Sequence, residues 1–215
     1  MMGNFRYSII IPHYNIPHLL RRCLSSIPKR DDIQVIVVDD SSPDAAIKEL
    51  AQLESDFSHA TFVYSKMNGG GGKARNIGLQ HAEGKYVLFA DADDFFNYCI
   101  NNILDQYRES DCDIVYFNAS VVDTETYLPT KRRSTFQKAV KAYEKSRDLR
   151  VFQYIFGEPW CKLVKRELIE ANHVRFDEIP IHNDTKYSYM VGYYAKNIKF
   201  DKIKIPSMQK ASWYF

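Results

Sequence analysis

The first half of the chain alternates short apolar runs with stretches of helical periodicity. Five apolar runs have the length of buried strands, and they lie at 8–11, 34–39, 61–65, 86–90 and 113–118. In the segments between them, apolar residues recur at helical spacing, at 16–27, 47–57, 73–82 and 100–107. This alternation predicts βαβ units, and therefore an α/β fold with a mostly parallel central sheet flanked by helices.

The second half of the chain is less regular. Helical patterns resume at 149–156, 164–172 and 184–195, and a further strand is predicted at 198–205. The pattern changes after residue 118, so we divide the chain into residues 1–118 and residues 119–215. No low-complexity linker separates the two halves, and we expect one continuous domain whose second half is smaller and richer in helix.

Composition and charge exclude several classes of protein. A net charge of +2 gives no general affinity for nucleic acid. The longest stretch without a charge, residues 7–20, is shorter than the roughly 18 apolar residues that a membrane-spanning helix needs. The four cysteines form no C-x-x-C pair, which argues against a zinc site or a disulfide scaffold and fits a reducing compartment. The first residues lack a long apolar run, so we expect no secretory signal and a cytoplasmic protein.

Polar and glycine-rich segments follow four of the predicted strands. They lie at 12–15, 39–40, 69–72 and 91–94. In parallel α/β sheets, ligands bind beyond the carboxyl ends of the strands. These segments are therefore expected to converge in one crevice.

The glycine loop at 69–72 partly fits two phosphate-binding motifs. It fails the P-loop pattern at two fixed positions, which are occupied by Met67 and Ala74. The dinucleotide pattern G-x-G-x-x-A fits, and Asp91 lies where its ribose-binding acid is expected. However, that pattern usually occupies the first βα turn of its domain, and here it lies in the third. It would also place five carboxylates near a diphosphate.

A divalent cation resolves this charge conflict. Like charges repel strongly in a partly desolvated cleft unless a cation lies between them. Asp91 and Asp93 stand two residues apart after a predicted strand, and carboxylates with substrate phosphates are typical ligands of Mg²⁺ and Mn²⁺. The structural alternative is a solvated turn that caps a helix.

Four blocks of sequence resemble family 2 glycosyltransferases in their letters, order and spacing. The blocks are Ile-Ile-Ile-Pro-His-Tyr-Asn at 9–15, Val-Val-Asp-Asp-Ser-Ser at 37–42, Asn-Gly-Gly-Gly-Gly-Lys-Ala-Arg-Asn-Ile-Gly at 68–78 and Phe-Ala-Asp-Ala-Asp-Asp at 89–94. Weaker matches follow at 159–163 and 182–184. The resemblance implies the GT-A fold, with a nucleotide-sugar-binding half at 1–118 and an acceptor-binding half at 119–215.

The resemblance also implies a set of site residues. The nucleotide sugar would be bound by Pro12, Tyr14, Asp39, Asp40, Gly70, Arg75, Asn76, Asp91 and Ala92. Asp93 would be the main ligand of a Mn²⁺ or Mg²⁺ ion, and Asp91 would contact the ribose or the metal. Two structural alternatives remain open. The acidic pair at 39–40 can instead cap the helix after Pro43, and Arg75 can form a surface ion pair.

Asp184 is implied to be the catalytic base. The family usually has a Glu-Asp pair here, but this chain has Asn183 in place of the glutamate. The alternative role for Asp184 is an N-cap of the helix that follows. A metal-stabilised leaving group and one opposed base predict an inverting, metal-dependent hexosyltransferase. Ser212 replaces the arginine of the Q-x-x-R-W signature found in processive members, so we expect transfer of a single sugar.

The expected partners are a nucleotide-sugar donor, most simply a UDP-sugar, and a saccharide or lipid-linked acceptor in surface polysaccharide or glycolipid synthesis. Residues 131–150 hold eight basic residues against two acidic ones. This stretch is interpreted either as a peripheral contact with the inner face of a membrane or as a solvated helix face. Two other functions stay open: a non-catalytic sugar-nucleotide-binding subunit and a sugar nucleotidyltransferase, although residues 12–15 lack the glycine-rich loop of the latter.

Overall fold

A single mixed sheet organises the chain in this computed structural model. The structure describes residues 5–123, 126, 128 and 135–209, and for 203–209 the course of the backbone alone. The strands are β1 (Tyr7–His13), β2 (Ile33–Asp39), β3 (Ala60–Tyr64), β4 (Tyr86–Phe89), β5 (Phe95–Phe96), β6 (Ile114–Val122), β7 (Lys162–Lys165) and β8 (Ile198–Gln209). The helices are α1 (Pro17–Ser26), α2 (Asp44–Asp56), α3 (Gly70–His81), α4 (Ile100–Gln106), α5 (Thr135–Ser146), α6 (Arg150–Ile155), α7 (Arg166–Ala171) and α8 (Thr185–Tyr194).

The first four long strands form the parallel part of the sheet, in the order β3-β2-β1-β4. The apolar side chains of β1, β2 and β4 are almost wholly buried, as expected for parallel strands covered on both faces. In the outer strand β3, Phe62 and Val63 are only partly buried and Tyr64 is 42% exposed. Helix α3 packs on β1 and β2. At Gly78 the helix approaches so closely that an added Cβ would lie 2.3 Å from Ile10 Cγ2. This contact fixes the glycine loop against the sheet.

The rest of the sheet continues in the order β7-β6-β8-β5, with β7 and β5 antiparallel to their neighbours. Strand β7 was not predicted. The sequence favoured a helix from residue 164, but residues 162–165 pair with β4 and β6 and the helix begins only at Arg166. The division at residue 118 falls inside β6, so the two halves share one sheet.

An aromatic cluster attaches the second half to the end of β4. Phe176 stacks on Tyr187 of α8, with ring centroids 4.1 Å apart. Both rings meet Phe89 of β4 edge to face, at 5.0 and 5.4 Å. The start of α8 is thereby held beside the carboxyl end of the parallel strands.

Candidate functional site

The loops that follow β1, β2 and β4 lie side by side, as the sequence predicts. His13 pairs with Asp39 at the ends of β1 and β2. The Asp40 backbone N–H donates to the His13 carbonyl oxygen (2.9 Å), and the Ala90 N–H donates to that of Ile10 (3.1 Å). The segments at 12–15, 39–42 and 91–94 therefore lie next to one another at the carboxyl end of the parallel strands.

A buried network joins the first two of these loops. His13 Nδ1 donates to Asp39 Oδ1 at 2.8 Å, and the Ser42 hydroxyl and N–H donate to the same carboxylate at 2.5 and 2.9 Å. The Ile16 N–H donates to His13 Nε2 at 3.1 Å. Because a backbone N–H can only donate, Nε2 accepts, and the imidazole proton is on Nδ1. The ring is thus held as the neutral tautomer whose Nδ1–H donates to Asp39.

Asp39 is shielded by this network, with 1% of its surface exposed. Burial of the carboxyl acts to raise its pKa, but the hydrogen bonds from His13 and Ser42 outweigh burial and hold the pKa below its ordinary value. Tyr14, in contrast, is 49% exposed and lies at the rim of the same loop. Pro12 is partly exposed. The loop therefore presents Pro12 and Tyr14 outward, while Asp39 supports it from inside.

Replacing His13 by phenylalanine is expected to lower the free energy of unfolding by about 3 kcal/mol at pH 7, because Asp39 then stays buried without its partner. His13→Asn retains a donor near the Nδ1 position and should lose less. The low pKa of Asp39 contributes stability above its unfolded pKa, and this contribution disappears as the pH falls. The difference in free energy of unfolding between wild type and His13→Phe, measured by urea unfolding, should therefore become smaller at acid pH. His18, which is exposed, supplies the control variant His18→Phe, and equal losses in both variants would contradict the network.

Asp40 holds the start of the glycine loop. Its carboxylate accepts the Gly69 N–H at 3.0 Å and the Gly70 N–H at 2.6 Å, and the Asn68 amide donates to its backbone oxygen. Gly70 has a φ of 80°, which favours glycine. The alternative left open by the sequence, in which the acidic pair caps the helix after Pro43, is therefore wrong, because Asp40 binds the start of α3 instead. Helix α2 receives no side-chain capping bond.

The carboxylates of Asp91, Asp93 and Asp94 form an acidic cluster after β4. One oxygen from each lies within 4.8 Å of the others. The Asp94 N–H closes the turn onto the Asp91 carbonyl oxygen at 2.9 Å, and Arg22 donates to the Asp93 backbone oxygen. Three carboxylate oxygens at this spacing fit a Mg²⁺ or Mn²⁺ ion, both of which prefer oxygen ligands. Asp39 and Asp40 do not belong to this cluster, because their carboxylates are directed to His13 and to α3.

Arg75 connects the acidic cluster to the second half of the chain. Its guanidinium donates to Asp91 Oδ1 at 2.6 Å and to Asn183 Oδ1 at 3.2 Å, and it lies over the Phe176 ring at 5.5 Å. The side chain is only 10% exposed. The guanidinium is therefore buried while Asp91 stays 33% exposed, and Arg75 places Asn183 next to the cluster.

Asn76 and Ala92 face the interior. The Asn76 amide bonds to the backbone of Phe176 and to the Glu178 carboxylate, and the residue is 9% exposed. Ala92 is 2% exposed and lies between the first two carboxylates of the cluster. Both side chains are therefore buried.

Asp184 occupies the N-cap position of α8, but its carboxylate makes no capping bond to the helix. The turn before it is closed by the Asp177 N–H, which donates to the Asn183 carbonyl oxygen at 3.1 Å. His182 has a φ of 60°, a left-handed conformation that is uncommon outside glycine. The carboxylate is partly exposed, so it is available to other groups.

Lys162 is a buried cation to which the sequence analysis gave no role. Its side chain is fully buried, and its Nζ has no hydrogen-bond partner among the described residues. This nitrogen lies 4.3 Å from the Phe156 ring centroid and 5.7 Å from the Tyr116 ring centroid. Burial lowers the pKa of the ammonium to about 7, while nearby acidic groups, Glu158 foremost, act in the opposite direction. Two sequence signals mark this lysine: it lies inside the apolar run at 160–164, and it belongs to the weaker family match at 159–163.

The basic stretch at 131–150 is described only from residue 135 onward. Helix α5 buries Phe136 and Ala139 and exposes Lys138, Lys141 and Lys145. Residues 131–134 lie outside the described residues. Within the described ranges, every helix is too short or too polar to cross a lipid bilayer.

Known proteins resemble this chain in sequence. A sequence model described as "Glycosyl transferase family 2" matches residues 8–172. The "Putative glycosyltransferase EpsH" of Bacillus subtilis (strain 168) is 28% identical over 207 residues, covering 91% of this chain and 58% of the relative. The "Succinoglycan biosynthesis protein ExoW" of Rhizobium meliloti (strain 1021) is 30% identical over 190 residues, covering 80% and 58%. The chain thus spans less than two thirds of the length of these relatives.

Solved structures resemble it in fold. The crystal structure of S. aureus TarS 1–349 in complex with UDP-GlcNAc has a TM-score of 0.76 and 22% identity, covering 98% of this chain and 62% of that one. The mannosyltransferase PcManGT from Pyrobaculum calidifontis, in complex with GDP-Man and Mn²⁺, has a TM-score of 0.66 and 19% identity, covering 96% and 56%. These likenesses confirm the predicted α/β fold class. The sheet is mixed, with its parallel part in β3-β2-β1-β4, and it is flanked by helices.

Proposed function

This chain belongs to glycosyl transferase family 2, and on that premise we propose that it is an inverting glycosyltransferase that moves one sugar from a nucleoside-diphosphate sugar to a hydroxyl acceptor. The sheet has the GT-A architecture implied by the sequence blocks. The observation that carries the proposal is the position of Arg75, whose guanidinium contacts both Asp91 and Asn183. Arg75 thereby contacts both a carboxylate proposed to bind the metal and Asn183, the residue before the proposed base.

The donor would bind along the carboxyl edge of β1, β2 and β4. Tyr14 and Pro12 offer an exposed apolar surface for a nucleotide base. Asp40 is 3% exposed and its carboxylate accepts the Gly69 and Gly70 N–H groups, so it would contribute to the donor site by holding the glycine loop in place. Asp39 would act from behind, by holding the loop through His13. Gly70 would let the donor approach the start of α3, where Asp40 already takes the first N–H groups.

The donor is proposed to be a UDP-sugar. The neighbouring TarS structures were determined with UDP and with UDP-GlcNAc, which supports this choice over the GDP-Man bound by PcManGT. The acceptor is proposed to be a saccharide or a lipid-linked saccharide in surface polysaccharide synthesis. Relatives named for succinoglycan biosynthesis and for minor teichoic acid biosynthesis support this class. We also propose that the protein is cytoplasmic and that residues 131–150 contact the inner face of a membrane.

The chemistry follows from where charge develops. Asp93, Asp91 and Asp94 would hold a Mn²⁺ or Mg²⁺ ion, which when bound supplies positive charge to the diphosphate leaving group. Asp184 would accept the proton of the attacking acceptor hydroxyl, as its carboxylate makes no capping bond to α8. Arg75 keeps the Asp91 carboxylate fixed and neutralises part of the cluster's charge. Attack opposite the leaving group inverts the anomeric carbon without a covalent intermediate.

Donor binding tests this proposal. Calorimetry with UDP-, GDP- and dTDP-sugars, with and without Mn²⁺, is expected to select the UDP-sugar and to find tighter binding with the metal. Asp93→Asn should weaken UDP binding at least about tenfold in Mn²⁺, about 1.4 kcal/mol, and have little effect in its absence. Asp111→Asn is the matched control, since the exposed Asp111 pairs with Lys165 and Lys85 near the amino end of β4, whereas the acidic cluster follows the carboxyl end of that strand.

Two results would contradict the assignment. UDP binding that is insensitive to both metal and Asp93→Asn would remove the metal site. Binding of a UDP-sugar without turnover in any acceptor screen would favour the non-catalytic binding subunit.

A further inference from the structure

One face of α3 is the platform for the segment that leads to Asp184. Residues 72, 75 and 76 follow helical spacing and share this face. At Gly72 the segment lies so close that an added Cβ would stand 2.1 Å from the Asp177 carbonyl oxygen and 3.0 Å from Asn183 Cβ. Arg75 reaches the same segment at Asn183. The face of α3 that carries residues 72, 75 and 76 therefore contacts the segment before Asp184.

Asn76 makes the most extensive of these contacts. Its Nδ2 donates to the Phe176 carbonyl oxygen at 3.0 Å and to Glu178 Oε1 at 3.1 Å, and its Oδ1 accepts the Phe176 N–H at 2.9 Å. Both ends of the amide are thus used on one stretch of backbone 100 residues away in sequence. An amide that is 9% exposed and bonded in this way has both Nδ2 hydrogens committed.

The position of Phe176 is passed on to Asp184 along two routes. The Phe176 ring stacks on Tyr187, in the first turn of the helix that begins after Asp184. The neighbouring Asp177 N–H donates to the Asn183 carbonyl oxygen, one residue before Asp184. Movement of the backbone at residue 176 would therefore displace the carboxylate at 184.

We propose that Asn76 is a positioning residue that fixes the catalytic carboxylate of Asp184, and that it is not a contact of the nucleotide. The inference rests on the proposed function, because it takes Asp184 as the base. Catalytic groups must be held within a fraction of an ångström, and misplacement by about 1 Å can cost on the order of 100-fold in rate. Asn76 supplies such support from the donor half, by bonding directly to the backbone of the acceptor half.

Asn76→Ala separates a positioning role from a nucleotide contact. The probe is UDP release from UDP-N-acetylglucosamine in Mn²⁺, with water as the acceptor. Water's oxygen then bonds to the anomeric carbon, UDP leaves, and Asp184 takes the proton. The variant is expected to lower kcat by about 10- to 100-fold, with the Kd for UDP unchanged within about twofold. Asn76→Asp retains the acceptor for the Phe176 N–H, so its kcat should lie between those of wild type and Asn76→Ala. This variant replaces Asn76→Ala in the test if the alanine variant does not fold. Asn172→Ala, at the end of α7, is the matched control.

A double-mutant cycle with Asp184→Asn tests whether Asn76 acts through the base. If it does, Asn76→Ala should lower the residual rate of Asp184→Asn by less than about twofold, because a misplaced base and a missing base are not additive. Full additivity, or a tenfold weaker UDP affinity with unchanged kcat, would overturn the inference. If Asp184→Asn itself keeps the wild-type rate, the proposed base fails. If that variant is inactive while Asn76→Ala changes only UDP affinity, the proposed function stands and the positioning role fails.

Discussion

Asp184→Asn is expected to reduce sugar transfer by at least about 100-fold, within the range ascribed to general base catalysis, while leaving UDP affinity intact. Asparagine has nearly the same shape as aspartate but cannot accept a proton. The carboxylate makes no capping bond to α8, so the substitution removes little from the helix. Activity and folding should therefore separate. The measurement is kcat for UDP release, beside UDP calorimetry and a thermal melt.

The control for this variant is again Asp111→Asn, which changes an exposed aspartate by the same substitution. It should keep the wild-type rate. A wild-type rate in Asp184→Asn would assign the base elsewhere. A large loss of Tm in that variant would instead identify Asp184 as a structural residue of α8, which is the capping alternative that the sequence left open.

Lys162→Met is expected to raise the free energy of unfolding at pH 7 by about 2–4 kcal/mol. Burial lowers the pKa of this ammonium from 10.5 to about 7, and its Nζ has no hydrogen-bond partner among the described residues. At about 1.4 kcal/mol per pKa unit, this lowering corresponds to at most about 5 kcal/mol of destabilisation. Methionine has a similar length, is uncharged, and fits the aromatic surroundings of Phe156 and Tyr116.

The stabilising effect of Lys162→Met should depend on pH. Between pH 7 and 10.5 the unfolded chain binds the lysine proton and the folded chain does not, so the contribution of Lys162 to stability rises with pH in that window. In the methionine variant this rise should disappear, and the two proteins should converge toward pH 10. Urea unfolding from pH 6 to 10 measures both effects.

Lys165→Met, in the same strand, is the matched control. Lys165 is partly exposed and pairs with Asp111 at 2.9 Å, which raises its pKa instead of lowering it. Its replacement should cost no more than about 1 kcal/mol, as expected for a surface ion pair. A Lys162→Met variant that is less stable than wild type at pH 7 would contradict the account of a buried, unpaired cation.

The features that local sequence determines were predicted well. Strand and helix periodicity, with glycines and aspartates at the strand ends, placed the four loops at one sheet edge. The acidic cluster follows from the same rule, because its three carboxylates stand in a single turn after β4. Such signals depend on neighbours within a few positions and can be read without knowing the fold.

Features that depend on distant partners were not predictable. Strand β7 exists because β4 and β6 lie on either side of it, which its four residues do not reveal. Asp39 and Asp40 are adjacent in sequence, yet one turns inward to His13 and the other turns to the start of α3. The contact of Arg75 with Asn183 joins positions 108 residues apart. No local pattern distinguishes these outcomes.

The path of β6 across residue 118 limits how this protein can be recombined with its relatives. The strand pairs with β7 on one side and β8 on the other, and its pairing with β8 continues past that residue. A chimera joined at 118 would splice two parents inside a paired strand and mismatch its side chains on both faces. A junction in the turn at 108–112, ahead of β6, would transfer the whole strand with its partners. Exchanges of acceptor preference between family members should therefore succeed with the earlier junction and yield insoluble chains with the later one.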